Sequence, residues 1–229
     1  MSPADFSPPI ERLSLADIAI LRLREDIVCG RLAPDETLTE IALSNGLGVG
    51  RGTIRTALFA LERDELVVRA PYSNWRVAAL NAQVIWEIYT LREALEALAA
   101  RIVAERLTDE TAQSLRNVFA RLGPAESATR DERVAADLGL HRAIVQATGH
   151  QHLINQYVGL SAKTEWLYRW SEAHWPSRFP LEETHQPLVQ AILGGSPGEA
   201  EDAVREHIAI SLAEDLKGYA ALLATTGKP

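Results

Sequence analysis

Gly48-Val49-Gly50-Arg51-Gly52-Thr53-Ile54-Arg55-Thr56-Ala57-Leu58 is the stretch that decides the fold of the N-terminal third of this chain. Val49, Ile54, Ala57 and Leu58, continued by Leu61, are spaced for one buried stripe of a helix, whereas Arg51, Thr53 and Arg55 fall on the opposite side near its start. A helix entered through a glycine-containing turn, with arginines at its N-terminal end, is the recognition element of a helix-turn-helix. The planar guanidinium can give two parallel hydrogen bonds to guanine, and a threonine hydroxyl serves a phosphate or a base edge.

Working outward, Leu15 to Val28 carries apolar residues at Leu15, Ile18, Leu21 (or Ala19), Leu23, Ile27 and Val28, which predicts a first helix ended by Gly30. Leu32-Ala33-Pro34-Asp35 reads as a turn, and Leu38 to Leu43 as a short second helix capped by Thr39. Beyond Leu61, two β-prone runs in Leu66–Val77 flank a turn at Ser73-Asn74, predicting a two-stranded wing. From Asn81 onward strand signals nearly vanish, and amphipathic helices are expected near 82–106, 108–122, 128–148, 150–171, 178–194 and 197–222. The fold class expected is mainly α: a winged helix-turn-helix over residues 11–80, then an all-α bundle of six or seven helices over 81–222.

The segments Gly30-Arg31-Leu32-x-Pro34, Leu38-Thr39-Glu40, Gly48-Val49-x-Arg51-x-x-Ile54-Arg55-x-Ala57-Leu58 and Leu61-Glu62-x-x-x-Leu66-Val67 resemble the DNA-binding half of GntR-type transcriptional regulators over roughly residues 14–80. The chain departs from that pattern at Gly50, where Ser or Thr is usual, at Gly52, where Thr is common, at Thr56 in place of Glu, and at Asn74, where the wing normally turns on Gly. Each glycine in a helix costs about 1 kcal/mol against alanine and removes a hydroxyl that could hold phosphate. Arg51, Thr53, Arg55 and Asn74 are the expected DNA contacts, on a double-stranded operator.

The 229 residues carry a formal charge of −8, yet residues 46–80 hold five arginines against three acids. The acidic excess therefore lies elsewhere, and DNA binding is expected to be strongly salt-sensitive, with a homodimer doubling the contacts. The single cysteine, Cys29, excludes an internal disulfide and reads as a small core residue. No apolar run approaches the ~18 residues of a membrane span and the Pro-rich start lacks the pattern of a leader, so a cytoplasmic protein with no membrane partner is expected, with mobile ends at 1–10 and 223–229.

In the second half, polar residues sit on stripes that should be apolar. Asp137 and His141 lie four apart among Val134, Leu138, Ile144 and Val145; His185 shares a stripe with Leu181, Leu188 and Ile192, and His207 with Ala200, Val204 and Ser211. A lone inward histidine is usually a hydrogen-bonded core residue. One carboxylate and three imidazoles together are costly to bury, and a divalent cation would satisfy all four. Arg92, on the stripe of Ile88, Leu95, Ala99 and Ile102, either pairs with Glu96 one turn on or reaches into the cavity. Trp166, Trp170, Trp175 and Phe179 read as core with some potential as a pocket wall, and Arg169 and Arg178 as solvated charges.

Asp137-x-x-x-His141 with His185 and His207 at 44 and 22 residues further on, flanked by Ala147-Thr148-Gly149 and Leu188-x-x-Ala191-Ile192, resembles the FCD effector-binding domain of the FadR branch over about residues 82–218. The resemblance implies a divalent metal at Asp137, His141, His185 and His207, zinc before nickel or manganese, and a small carboxylate effector met by Arg92 in Leu91-Arg92-x-x-Leu95-Glu96. His150 and Leu140 depart from the family at positions that are not ligands. The function implied is a ligand-responsive regulator, a repressor released by an organic acid. The alternative is a metal-dependent hydrolase using the same centre, which lacks a general base placed by spacing.

Overall fold

The computed structural model describes residues 13–69, 74–123, 129–176 and 180–226. Ser73 of the expected wing turn, Pro124, Arg178, Phe179 and the two ends at 1–12 and 227–229 lie outside the described residues.

The N-terminal part contains α1 (Leu15–Val28), β1 (Thr37–Leu38), α2 (Glu40–Leu47), α3 (Arg51–Arg63), β2 (Val67–Arg69) and β3 (Trp75–Val77). Ser14 and Asp17 cap α1 reciprocally, each side chain bonding the other's backbone N–H. The Thr39 hydroxyl caps α2 as expected. Gly48, at φ 65°, makes the left-handed turn into α3, a conformation other residues adopt at a cost. Ile54, Ala57, Leu58 and Leu61 of α3 are fully buried against Leu23 and Ile27 of α1 and the sheet, and Val49 packs at their edge.

Three details differ from the sequence expectation, the first being that α2 starts at Glu40 and runs on to Leu47, so that Leu38, expected in it, lies in a strand. The wing has a third strand: β1 pairs antiparallel with β3, giving the order β1-β3-β2 with Leu38 opposite Trp75. In α1, Ala19, Leu23, Ile27 and Val28 are buried while Leu15, Ile18 and Leu21 are exposed. The helix has two overlapping apolar registers, and the one that meets α3 uses the small Ala19.

The C-terminal part is helical: α4 (Ala82–Glu105), α5 (Asp109–Phe119) with a 3-10 turn at Ala120–Leu122, α6 (Arg130–Ala147), α7 (Gln151–His174), α8 (Leu181–Leu193) and α9 (Pro197–Thr226). Asn81, Thr108 and Thr129 accept from the first-turn amides of α4, α5 and α6, which sets these starts within two residues of expectation. The long helices α4 and α9 form the widest contact, and α6, α7 and α8 complete a bundle around Ile85, Ala97, Leu140, Ile144, Leu167 and Ile192. Gly218 of α9 allows the Trp175 ring to lie on the helix backbone, where any Cβ would overlap the indole.

Helix α7 serves both parts. Tyr157, Thr164 and Tyr168 are buried in the bundle, whereas Lys163 pairs with Glu65 after α3, and Trp170 packs at Gly30 after α1, where a Cβ would stand 3.6 Å from the ring. Arg169 is not a solvated charge as expected: it bridges Asp131 at 2.6 Å and Glu165 at 3.0 Å. Cys29 is half-buried at the end of α1 rather than in the core, its Sγ 2.8 Å from Glu25.

Candidate functional site

The fold brings His141 of α6, His185 of α8 and His207 of α9 together inside the bundle, and Asp137 of α6 stands beside the first two of these histidines rather than within the three-histidine group. One ligand atom of each of the three histidines lies within 4.8 Å of the others. His141 Nε2 and His185 Nε2 are 3.2 Å apart, and Asp137 Oδ1 stands 3.3 Å from the first and 3.5 Å from the second. The His207 ring centroid is 4.4 Å from that of His185 and 5.2 Å from that of His141.

The far nitrogens explain the orientation. His185 Nδ1 is 2.7 Å from the Leu181 carbonyl, His207 Nδ1 is 3.2 Å from the Thr184 carbonyl, and His141 Nδ1 is 2.6 Å from Glu96 Oε2. The carbonyl acceptors behind His185 and His207 favour an N–H at Nδ1, which leaves the Nε2 atoms of these two rings available as donors to a metal, while His141 stands between two carboxylates, Glu96 at Nδ1 and Asp137 at Nε2. Asp137 Oδ1 and Glu96 Oε2, each within ion-pair distance of His141, are buried acceptors without a hydrogen bond. A set of three imidazole nitrogens and one carboxylate oxygen, each imidazole held from behind by an acceptor, is the donor arrangement that suits a divalent transition metal.

The electrostatics favour positive charge at the same point. Burial works against a charged His141, yet Glu96 and Asp137 outweigh it and raise its pKa to about 9. Burial likewise opposes the charge on Asp137, and His185 and His141 hold it well below the usual carboxylate range. Burial and the neighbouring histidines push His207 down to about 3, which leaves it neutral with its lone pair available.

Arg92 settles between its two sequence readings in favour of pairing. It is fully buried, with Nε 2.8 Å from Glu96 Oε1, Nη1 on the Tyr168 hydroxyl, and its guanidinium 5.1 Å from the Tyr168 ring centroid and 5.5 Å from that of Tyr89. Its Nη2 is a buried donor with no partner. The sequence reading did not connect Glu96 with the histidines. Its carboxylate joins Arg92 to His141, and although burial opposes its charge, Arg92 and His141 hold it at about 2. The available signal was an acid on the inward stripe one turn from Arg92. Its Oε1 is bonded to Arg92, while its Oε2, in ion-pair contact with His141 Nδ1 at 2.6 Å, has no hydrogen bond. Of the aromatic cluster, Trp166 is buried core, while Trp170 and Trp175 pack at its edge and Trp175 Nε1 donates to Asp215 at 2.8 Å.

On the other part of the molecule Arg51 is exposed at the start of α3, Thr53 is half-buried, and Asn74 is exposed before β3. Gly50 caps α3 without any side-chain hydrogen bond, the consequence of the missing hydroxyl. Arg55 is exposed but engaged: its Nε and Nη2 reach the two oxygens of Glu40 on α2 at 2.9 Å and 2.7 Å. The Glu40 carboxyl, held below its ordinary range chiefly by Arg55, also accepts from Trp75 of the wing.

Each of the two parts of the chain matches a known family. The FCD domain family matches residues 87–210, and the gntR family of bacterial regulatory proteins matches residues 15–77. The HTH-type transcriptional repressor GlaR of Escherichia coli K12 is 26% identical over 195 residues, covering 81% of this chain and 89% of the relative. A probable D-xylose utilization operon transcriptional repressor of Paenarthrobacter nicotinovorans is 27% identical, covering 82% of each. E. coli McbR/YncC superposes with a TM-score of 0.72 at 19% identity over 91% of this chain and all of that one. A putative GntR regulator from Rhodococcus sp. RHA1 reaches 0.74 at 18% over 90% and 100%. No helix among the described residues is long and apolar enough to cross a membrane. With a winged helix-turn-helix in its first third and an FCD match over more than half its length, the chain belongs to the GntR family of bacterial transcriptional regulators, DNA-binding proteins rather than enzymes.

Proposed function

We propose that this chain is a cytoplasmic, homodimeric repressor in which residues 11–80 read operator DNA and residues 81–222 bind a divalent metal and a small organic acid that releases the DNA. The observation that carries the reading is the convergence of His141, His185 and His207 in one cluster, with Asp137 Oδ1 against the first two, next to an arginine with an unpartnered donor. Asp137, His141, His185 and His207 would hold the metal, zinc being the first expectation for such a donor set. The metal, when bound, supplies a fixed positive charge for a carboxylate, and Arg92 adds a planar fork that fits the same group.

The residues also suggest how occupancy reaches the DNA. Arg92 bonds Tyr168 of α7, and the opposite face of α7 carries the Lys163–Glu65 pair and the Trp170–Gly30 contact with the winged part. A ligand that draws Arg92 away from its present partners acts on α7, and through it on the placement of Arg51, Thr53, Arg55 and Asn74. It shifts the protein only to the extent that it binds the two arrangements with different affinity. The homodimer is supported by the exposed Leu91 and Leu98 on α4, apolar side chains seven residues apart on a bundle helix.

The test is metal analysis of the purified protein and of His185→Ala, together with DNA release by carboxylic acids. Near-stoichiometric metal in the wild type, its loss in the variant and retained DNA binding with lost acid response are expected. Absence of metal from a folded wild type after incubation with zinc, nickel and manganese would sink the reading.

A further inference from the structure

The Arg92–Glu96–His141 chain has a feature that neither a metal site nor an anion site needs by itself. Glu96 is 2% exposed and divides its two oxygens between the two centres, Oε1 to Arg92 Nε at 2.8 Å and Oε2 to His141 Nδ1 at 2.6 Å. Arg92 is 0% exposed and cannot shed its charge, so a carboxylate must accompany it in the bundle. Glu96 is already the kind of group that an organic-acid ligand would present. Arg92 nevertheless keeps Nη2 unpartnered, and the Tyr168 hydroxyl on Nη1 is a neutral partner that a carboxylate would outbid.

We propose that Glu96 is an internal competitor for the ligand: it occupies Arg92 until an external carboxylate arrives, and through its other oxygen it orients and strengthens His141 as a metal ligand. This rests on the metal and anion reading given above and adds to it the side chain through which the two sites are linked. When a carboxylate takes over Arg92, Glu96 loses its guanidinium partner and keeps His141 and the Tyr157 hydroxyl. Its hold on the His141 N–H then strengthens and the ring becomes a better donor at Nε2. Metal and anion therefore favour each other, and by linkage each does so by the same factor. Glu96 is a positioning residue in this scheme, touching neither ligand.

Two substitutions separate this role from a general structural one. Glu96→Gln has one carbonyl oxygen where two acceptors are needed and carries no charge. It should weaken metal binding about 10- to 100-fold, as expected for loss of a group behind a ligating imidazole, while tightening acetate binding to the metal-loaded protein because Arg92 has lost its competitor. Arg92→Gln removes the competition from the other side. Its metal affinity should equal or exceed that of the wild type while acetate binding is lost.

The probes are Co2+, titrated by its visible absorption, and acetate, titrated into the Co2+-loaded full-length protein, with thermal melts confirming that each variant folds. Opposite movements of Co2+ and acetate affinity in Glu96→Gln support the proposal. Parallel losses in both variants, or no change in either affinity, overturn it while leaving the metal site standing. If Glu96→Gln fails to fold, Arg92→Gln decides the matter, since a fall in its Co2+ affinity contradicts the scheme. If the wild type takes up no Co2+, the reading of the site falls and this inference falls with it.

Discussion

Replacing Glu40 by alanine is predicted to make the protein a tighter but less discriminating DNA binder. The Glu40 carboxylate takes two hydrogen bonds from Arg55, at 2.9 Å and 2.7 Å, so the recognition helix presents an arginine whose charge is largely neutralised. The pair is half in water, with Arg55 59% and Glu40 21% exposed, so breaking it costs the fold about 0.2–1 kcal/mol, and loss of the hydrogen bond from Trp75 to the same carboxylate adds about 1 kcal/mol. The larger consequence falls on DNA. A freed Arg55 can neutralise one further phosphate, and each such contact adds about 0.9 to the slope of log K against log salt. Between 50 and 200 mM salt that is an additional loss of about threefold on top of the wild-type salt dependence. Fluorescence anisotropy on a mixed-sequence duplex measures this without knowledge of the operator. Higher affinity at 50 mM and a steeper slope by nearly one are expected. A folded Glu40→Ala protein with an unchanged or shallower slope would refute the reasoning, because Arg55 would then not face the phosphates at all.

Further outcomes follow from the same structure. Asp215 is buried between Tyr89 and Trp175, and burial, outweighing the hydrogen bonds from those two residues, raises it from 3.8 to about 6. The folded state therefore favours the neutral acid, a contribution that is complete below the unfolded value and lost as pH rises through about 6; relative to Asp215→Asn, the wild type should lose about 2 kcal/mol between pH 4 and pH 8. Urea denaturation across that range checks the sign, and a pH-independent difference contradicts it. Two glycine-to-alanine changes should go in opposite directions: Gly52→Ala, with open space around its Cβ on α3, gains up to about 1 kcal/mol, whereas Gly218→Ala drives a methyl into the Trp175 ring and destabilises by about 1–3 kcal/mol. Thermal melts of the pair suffice, and equal shifts would mean that the Trp175 contact is not as described. Leu58→Ala on the buried side of α3 is expected to cost about 2–5 kcal/mol, a loss readable as a fall in the urea midpoint; a variant as stable as the wild type would deny α3 its place in the core.

What could be read in advance was local. The spacing of Ile54, Ala57, Leu58 and Leu61, the Thr39 cap and the breaks between the six C-terminal helices are signals carried within a dozen residues, and the elements form where they point. The inward polar positions of α6, α8 and α9 were equally legible, because a histidine on an apolar stripe conflicts with the burial pattern around it. The features missed depend on partners far away in sequence. Strand β1 is two residues long and exists through its pairing with β3. Of the stripe expected on α1, Leu23, Ile27 and Val28 are buried and Ala19, its alternative to Leu21, takes the inward place, while Leu15, Ile18 and Leu21 are exposed. Glu96 is legible only as a partner one turn on from Arg92, and the placement of α6 against α4 is what puts His141 beside its second oxygen. Arg169 likewise found Asp131 across a helix-helix boundary, where no spacing rule reaches.

The central claim is that a DNA-binding regulator of this family answers to an organic acid through its histidine cluster. The most direct measurement is fluorescence anisotropy of the full-length protein on DNA from upstream of its own gene, with non-specific competitor, titrated with a panel of carboxylic acids before and after treatment with a chelator. Saturable binding, release by at least one acid, and loss of that response on chelation with recovery on adding zinc are predicted. Specific binding that no acid alters, or release that persists unchanged in the metal-stripped protein, would contradict the account.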